Sequence, residues 1–217
     1  MIDMVQIAPS MLAADFLHLE KDVELVNQHA DIFHLDVMDG IFVPNISYGF
    51  PVIEAIAKKA TKTLDAHLMI IKPENYVERF AQVGVDMLSF HLNATEKPGE
   101  VLAKVKSLGM KAGLAINPDI PVESLYPYLG QCDFVLLMSV FAGFGGQKFI
   151  EGTYERVAAV KKEILAQGVD CKIQVDGGVS AANSKQLIEC GAEILVAGSA
   201  VFKAEDPQAV ISEMKKA

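Results

Sequence analysis

Apolar residues along this chain fall into short runs separated by amphipathic stretches, and the alternation repeats from one end to the other. The runs at 5–10, 32–36, 63–68, 87–91, 111–116, 134–140, 172–176 and 194–197 are rich in Val, Ile, Leu and Phe, as strands covered on both faces must be. Between them, apolar positions recur at helical spacing. The first such stretch is predicted to be capped by Asp15 and to bury Leu17, Leu19, Val23, Leu25 and Val26. Later helices are predicted at 51–60, 73–84, 98–108, 121–129, 150–167, 180–190 and 207–216. Gly109, Gly130, Gly168 and Gly191 stand where four of them must stop, and Pro73 stands where a first turn tolerates it.

Parallel strands need a crossover between them, so eight strand–helix units imply a parallel sheet. Such a sheet either stays open and doubly wound or closes into a barrel. An open sheet would place a glycine-rich turn after its first strand, where Ala8-Pro9-Ser10 stands instead. Chemistry-bearing residues close strands 1, 2, 3, 6, 7 and 8, and only a barrel brings all those ends to one mouth. The sequence therefore predicts an α/β protein, a single-domain (β/α)8 TIM barrel over residues 1–217, with no linker or low-complexity segment.

Composition narrows the partners. Hydrophobic content is 51% against 22% charged, yet no apolar run reaches the roughly 18 residues that a membrane span needs. Residues 1–14 lack the basic start and long apolar stretch of a secretory signal. Net charge is −9, with no basic stripe to neutralise a phosphate backbone, so nucleic acid is disfavoured. Cys132, Cys171 and Cys190 are odd in number and far apart, which suits free thiols in a reducing cytoplasm.

The candidate chemistry sits at the strand ends. His34 and Asp36 are two apart on one strand and so share a face. His67 and Asp176 close two other strands. One buried histidine alone is more often a core residue, but two imidazoles and two carboxylates at equivalent strand ends suit one divalent ion: Zn, Mn, Fe or Co. Asp65 shares a face with His67 and is expected either to orient it or to form a structural salt bridge. Three glycine clusters, Gly143-Phe144-Gly145-Gly146, Gly177-Gly178 and Gly198-Ser199, follow strands 6, 7 and 8 and would let backbone N–H groups converge on a phosphate. Met38, Met69 and Met138 would form an apolar wall or simply fill the core, and Ser10 would bond a substrate hydroxyl or end its strand. His91 closes strand 4 with no partner visible in the sequence. His18, His29 and the pairs Lys58-Lys59 and Lys215-Lys216 read as solvated.

Six motifs occur in a fixed order: Ala-Pro-Ser-Met-Leu-Ala-Ala-Asp at 8–15, His-Leu-Asp-Val-Met-Asp-Gly at 34–40 with Phe-Val-Pro-Asn at 42–45, His-Leu-Met at 67–69, Gly-Phe-Gly-Gly-Gln at 143–147, Val-Asp-Gly-Gly-Val at 175–179 and Ala-Gly-Ser at 197–199. Together they resemble the ribulose-phosphate 3-epimerase family over essentially the whole chain. The resemblance implies a (β/α)8 enzyme of the pentose phosphate pathway, interconverting D-ribulose 5-phosphate and D-xylulose 5-phosphate. It implies one divalent metal per subunit on His34, Asp36, His67 and Asp176, with Asp36 and Asp176 as proton acceptor and donor. It also implies substrate contacts at Ser10, His67, Gly143–Gly146, Asp176–Gly178 and Gly198–Ser199, and a homo-oligomer, dimer or hexamer. Two positions depart from the family pattern. Phe141-Ala142 stands where Asn-Pro is usual, and Asn93 stands where a glutamate commonly follows the strand 4 histidine. Phe141-Ala142 keeps open a hexulose phosphate substrate such as D-allulose 6-phosphate. A non-catalytic phosphosugar-binding barrel is the remaining alternative.

Overall fold

A computed structural model describes residues 5–217. Among them are eight strands: β1 (Gln6–Pro9), β2 (Ile32–Met38), β3 (Thr63–Met69), β4 (Met87–His91), β5 (Lys111–Ile116), β6 (Phe134–Met138), β7 (Lys172–Asp176) and β8 (Ile194–Ala197). All neighbours are parallel, in the order β1-β8-β7-β6-β5-β4-β3-β2. The two ends meet through a parallel bridge between Ser10 and His34. Asp31 reinforces that seam: its N–H donates to Ile7 O at 3.1 Å and its Oδ2 accepts from Ile7 N at 2.9 Å. Closure removes the free edges an open sheet would expose. The chain forms the expected single-domain (β/α)8 TIM barrel.

The helices are α1 (Leu19–His29), α2 (Phe50–Ala57), α3 (Val77–Val83), α4 (Pro98–Ser107), α5 (Thr153–Gln167), α6 (Ala181–Cys190), α7 (Ser199–Phe202) and α8 (Pro207–Lys215). No helix among the described residues is long and apolar enough to cross a membrane. Alternate strand residues such as Phe33, Leu35, Leu68, Phe90, Leu137 and Val175 face outward and pack into one core with the helices. The inward residues divide by height. Ala8, Ile32, Met87, Phe134, Ile194 and Val196 form an apolar plug at the barrel floor, and a Cβ on Gly113 would overlap the Phe134 ring. Cys132 and Cys171 are buried free thiols and Cys190 is half-buried.

Several local expectations needed correction. Asp15 does not cap α1. Its Oδ1 accepts from Leu17 N at 3.0 Å and its Oδ2 lies 2.8 Å from His18 Nδ1. That tight turn delays the helix to Leu19 and leaves Leu17 89% exposed rather than buried. The stretch predicted as a helix over 121–129 is a 3₁₀ segment, Val122–Gln131, with Pro127 inside it and Gly130 not ending it. A proline interior to an α-helix would lose an N–H and clash one turn back, and the tighter winding is what forms instead. The 73–84 helix divides into a 3₁₀ turn, Pro73–Asn75, and α3. Strand β6 stops at Met138 rather than 140, and β2 runs two residues past its expected end. Helix α7 was not anticipated. Lys215 is not simply solvated, because its Nζ lies 2.8 Å from Asp31 Oδ1.

Candidate active site

Strand ends position the four candidate ligands. In the β2–β3 register Asp36 faces His67 and His34 faces Asp65, so each imidazole has a carboxylate beside it on the next strand. His67 Nδ1 lies 3.2 Å from Asp36 Oδ1. His34 Nε2 lies 3.4 Å from Asp36 Oδ1 and 3.9 Å from Asp176 Oδ2, and His67 Nδ1 lies 4.0 Å from Asp176 Oδ2. One donor atom from each of His34, Asp36, His67 and Asp176 falls within 4.8 Å of every other. The set fits a divalent cation held by bonds of about 2.0–2.2 Å. His34 Nε2 is buried without a hydrogen-bond partner, as a nitrogen lone pair aimed at an ion would be.

Asp65 serves His34, not His67 as its sequence position suggested. Its Oδ2 accepts from His34 Nδ1 at 2.8 Å and from Gln174 Nε2 at 2.6 Å. A carboxylate only accepts, so Nδ1 carries a proton, and Nε2 is the nitrogen that His34 could turn to an ion once its own proton is displaced. His91, which had no visible partner, is fully buried with Nε2 3.0 Å from His67 Nε2. The two rings stack at 5.1 Å. Those two Nε2 atoms share one proton, so a lone pair on His67 Nδ1 requires His91 to accept. Gln174 was missed, and of His91, expected at the end of strand 4, only the partner was missed. Both sit at inward positions of their strands, two before Asp176 and two after Ser89, which is the signal that would have found these contacts.

Electrostatics sets the two central acids apart. Burial disfavours charge on Asp36, but the His34 imidazole 3.4 Å away and the hydrogen bond from His67 hold its carboxyl far below the ordinary range. Ser10 Oγ also donates to Asp36 Oδ2 at 2.5 Å. Burial and the neighbouring Asp36 push Asp176 up to about 6. His34 is raised well above its usual value: burial opposes this, and Asp36 and Asp65 outweigh it. Burial, followed by His67, keeps His91 well below its own. One low and one high carboxyl in a single site is the pattern by which environments divide acid from base roles.

Above these groups opens a cavity of about 740 Å³. Ser10, Asp36, Asp176, Met38, Met69 and Met138 line it, as do Gly143, Phe144, Gly145, Gly146, Gly177, Gly178, Gly198 and Ser199. His34 and His67 are wholly buried beneath it. The glycines after β7 do structural work as well. Gly177 and Gly178 have φ 116° and 62°, and a Cβ would come to 2.9 Å from Val140 N and 2.7 Å from Phe149 N. Any side chain there would displace the loop after β6. That loop is tied down by Asn45 Nδ2, which donates to Gly143 O at 2.9 Å, and by Ala142 N, which donates to Asn117 Oδ1 at 3.0 Å. Gln147 Nε2 closes it on itself, donating to Phe141 O and Phe144 O.

Comparison with known proteins agrees with this arrangement. Residues 6–202 match the model of the "Ribulose-phosphate 3 epimerase family". The chain is 45% identical over 203 residues to a Ribulose-phosphate 3-epimerase of Synechocystis sp., covering 92% of this chain and 88% of that protein. It is 42% identical over 214 residues to the Ribulose-phosphate 3-epimerase of Bacillus subtilis, covering 98% and 99%. Among solved structures, a mutant tryptophan synthase alpha-subunit from Pyrococcus furiosus superimposes with a TM-score of 0.72 over 100% of this chain and 97% of that one. At 17% identity, that likeness shows the fold alone. The chain belongs to the ribulose-phosphate 3-epimerase family.

Proposed function

We propose that this protein is a metal-dependent epimerase that inverts C3 of D-ribulose 5-phosphate to give D-xylulose 5-phosphate. The observation that carries this reading is that Asp36 and Asp176 meet in one cavity from β2 and β7, strands separated by β1 and β8 around the barrel. Inverting a carbon beside a ketone needs a proton removed from one face and another returned to the opposite face. Two carboxylates approaching a sugar from different walls of a barrel can do both. One takes the C3 proton, the electron pair moves into the C2–C3 bond as the enediolate forms, and the other delivers its proton to C3 from behind.

His34, Asp36, His67 and Asp176 would hold the ion, with His34 offering Nε2 and His67 offering Nδ1. When bound, a divalent cation supplies Lewis-acid stabilisation of charge on the ketone and enediolate oxygens, several kcal/mol in magnitude. Ser10 holds Asp36 in place through its hydroxyl. The methionines cover the reacting carbon with apolar surface, and the glycines after β6, β7 and β8 receive the phosphate. The family membership supports the same substrate, and a cytoplasmic homo-oligomer with one ion per subunit belongs to the reading.

The test is turnover of ribulose 5-phosphate in deuterated water, with and without chelator. The expected result is deuterium at C3 of both epimers in the metal-loaded protein, and none after chelation, with activity restored by added metal. Absence of exchange in the loaded protein would overturn the assignment. A second reading, a hexulose phosphate substrate, is favoured by one observation: Phe141 and Ala142 line the cavity where the family usually has Asn-Pro. A larger kcat/KM on allulose 6-phosphate than on ribulose 5-phosphate would establish it.

A further inference from the structure

The residues lining the cavity include three charged side chains: Asp36, Asp176 and Lys203. The two acids stand over the imidazoles. Lys203 closes the short helix α7, whose cap Gly198 and first residue Ser199 line the same cavity. We propose that Lys203 is a specificity-determining residue that pairs with the phosphate of the substrate, a role that rests on the phosphate position given above.

Three observations converge on it. Lys203 is the only Lys or Arg lining the cavity among the described residues. Among the described residues its Nζ has no carboxylate within 4.0 Å, so no ion pair competes with a ligand for it, although several other surface lysines share that state. Its backbone is fixed independently of its side chain, because its N–H donates to Ser199 O at 3.1 Å and ends α7. A lysine without a partner keeps its charge for a ligand.

The chemistry explains why the cavity needs one. A phosphate monoester carries about −1.5 to −2 at pH 7, and it approaches a chain of net charge −9 whose cavity already holds two carboxylates. Backbone N–H groups recognise the shape of the phosphate but bring no net charge. Lys203 supplies the local positive potential that favours a phosphorylated sugar over the same sugar without phosphate. Its side chain is exposed, so the effect is bounded by solvent and screened over about 8 Å at physiological salt.

Lys203→Met and Lys203→Arg test the assignment, with inorganic phosphate as the probe and melting temperature as the check on folding. Lys203→Met should raise KM for ribulose 5-phosphate and the inhibition constant of inorganic phosphate together, by about five- to tenfold at low salt. Most of that difference should vanish near 1 M salt, kcat should move little, and Lys203→Arg should restore both constants. The kcat/KM ratio of ribulose 5-phosphate over unphosphorylated D-ribulose should fall by the same factor. Equal inhibition of wild type and Lys203→Met by phosphate overturns the role of Lys203 and leaves the epimerase reading intact. If the wild type epimerises yet is not inhibited by phosphate at all, the phosphate position fails and Lys203 fails with it.

Discussion

The floor and the mouth of this barrel are built on the same strands, two residues apart, and they follow opposite rules. At the floor, Ile32, Met87 and Phe134 interlock with Ala8, Ile194 and Val196 in an apolar cluster. One step up, the same strands carry His34, Ser89 and Leu136, joined by Asp65 and Gln174, and a further step brings Asp36, His91, His67 and Asp176. The next level is apolar again, with Met38 and Met69 over the acids. The floor minimises free energy by close packing. The mouth collects buried charge that only proton sharing or a cation can balance, which is where a fold gives up stability for function.

Substitutions at three levels of the barrel would break or sharpen that contrast. The largest effect belongs to the mouth. Asp36→Asn or Asp176→Asn should lower turnover by about 10²- to 10⁴-fold, and Asp176→Asn should not lower the melting temperature of the metal-free protein, since it removes one of two buried like charges. Steady-state assays and thermal melts measure both, and more than about a tenth of the activity retained would contradict the two-acid scheme. The floor should behave in the reverse sense. Phe134→Ala should cost about 3–5 kcal/mol of stability by denaturant unfolding while kcat of the folded fraction stays within a few-fold. Gly113→Ala should also destabilise, and combining it with Phe134→Leu should recover part of the loss, because the added Cβ meets that ring. The smallest effect on catalysis lies between the two layers. Asp65→Asn should weaken metal binding by about 10- to 100-fold in chelator competition, with kcat at saturating metal nearly unchanged. Unaltered affinity would mean that the Asp65–His34 bond does not orient the ring.

The sequence was most legible where one residue's neighbours along the chain decide its state. Period-two alternation placed His34 and Asp36 on one face, and the apolar runs located all eight strands. It failed where a local signal had a competitor, as at Asp15, whose carboxylate turned back on Leu17 and His18 instead of capping α1. At 122–131 the apolar spacing suited a helix, but Pro127 set the winding. Asp65 shows a different failure. Two residues along a strand are about 6.6 Å apart, while paired residues on neighbouring strands are about 4.8 Å apart, so Asp65 reached His34 across the sheet rather than His67 along it.

From the chain alone came the repeating strand–helix order and the families of residues at the strand ends, because each depends on spacing along one dimension. Which imidazole each acid meets, that His91 completes His67, and that Lys203 lines the same cavity as the two acids were decided only when the barrel closed. Closure fixes register between strands distant in sequence, and contacts across that register have no counterpart in any single segment.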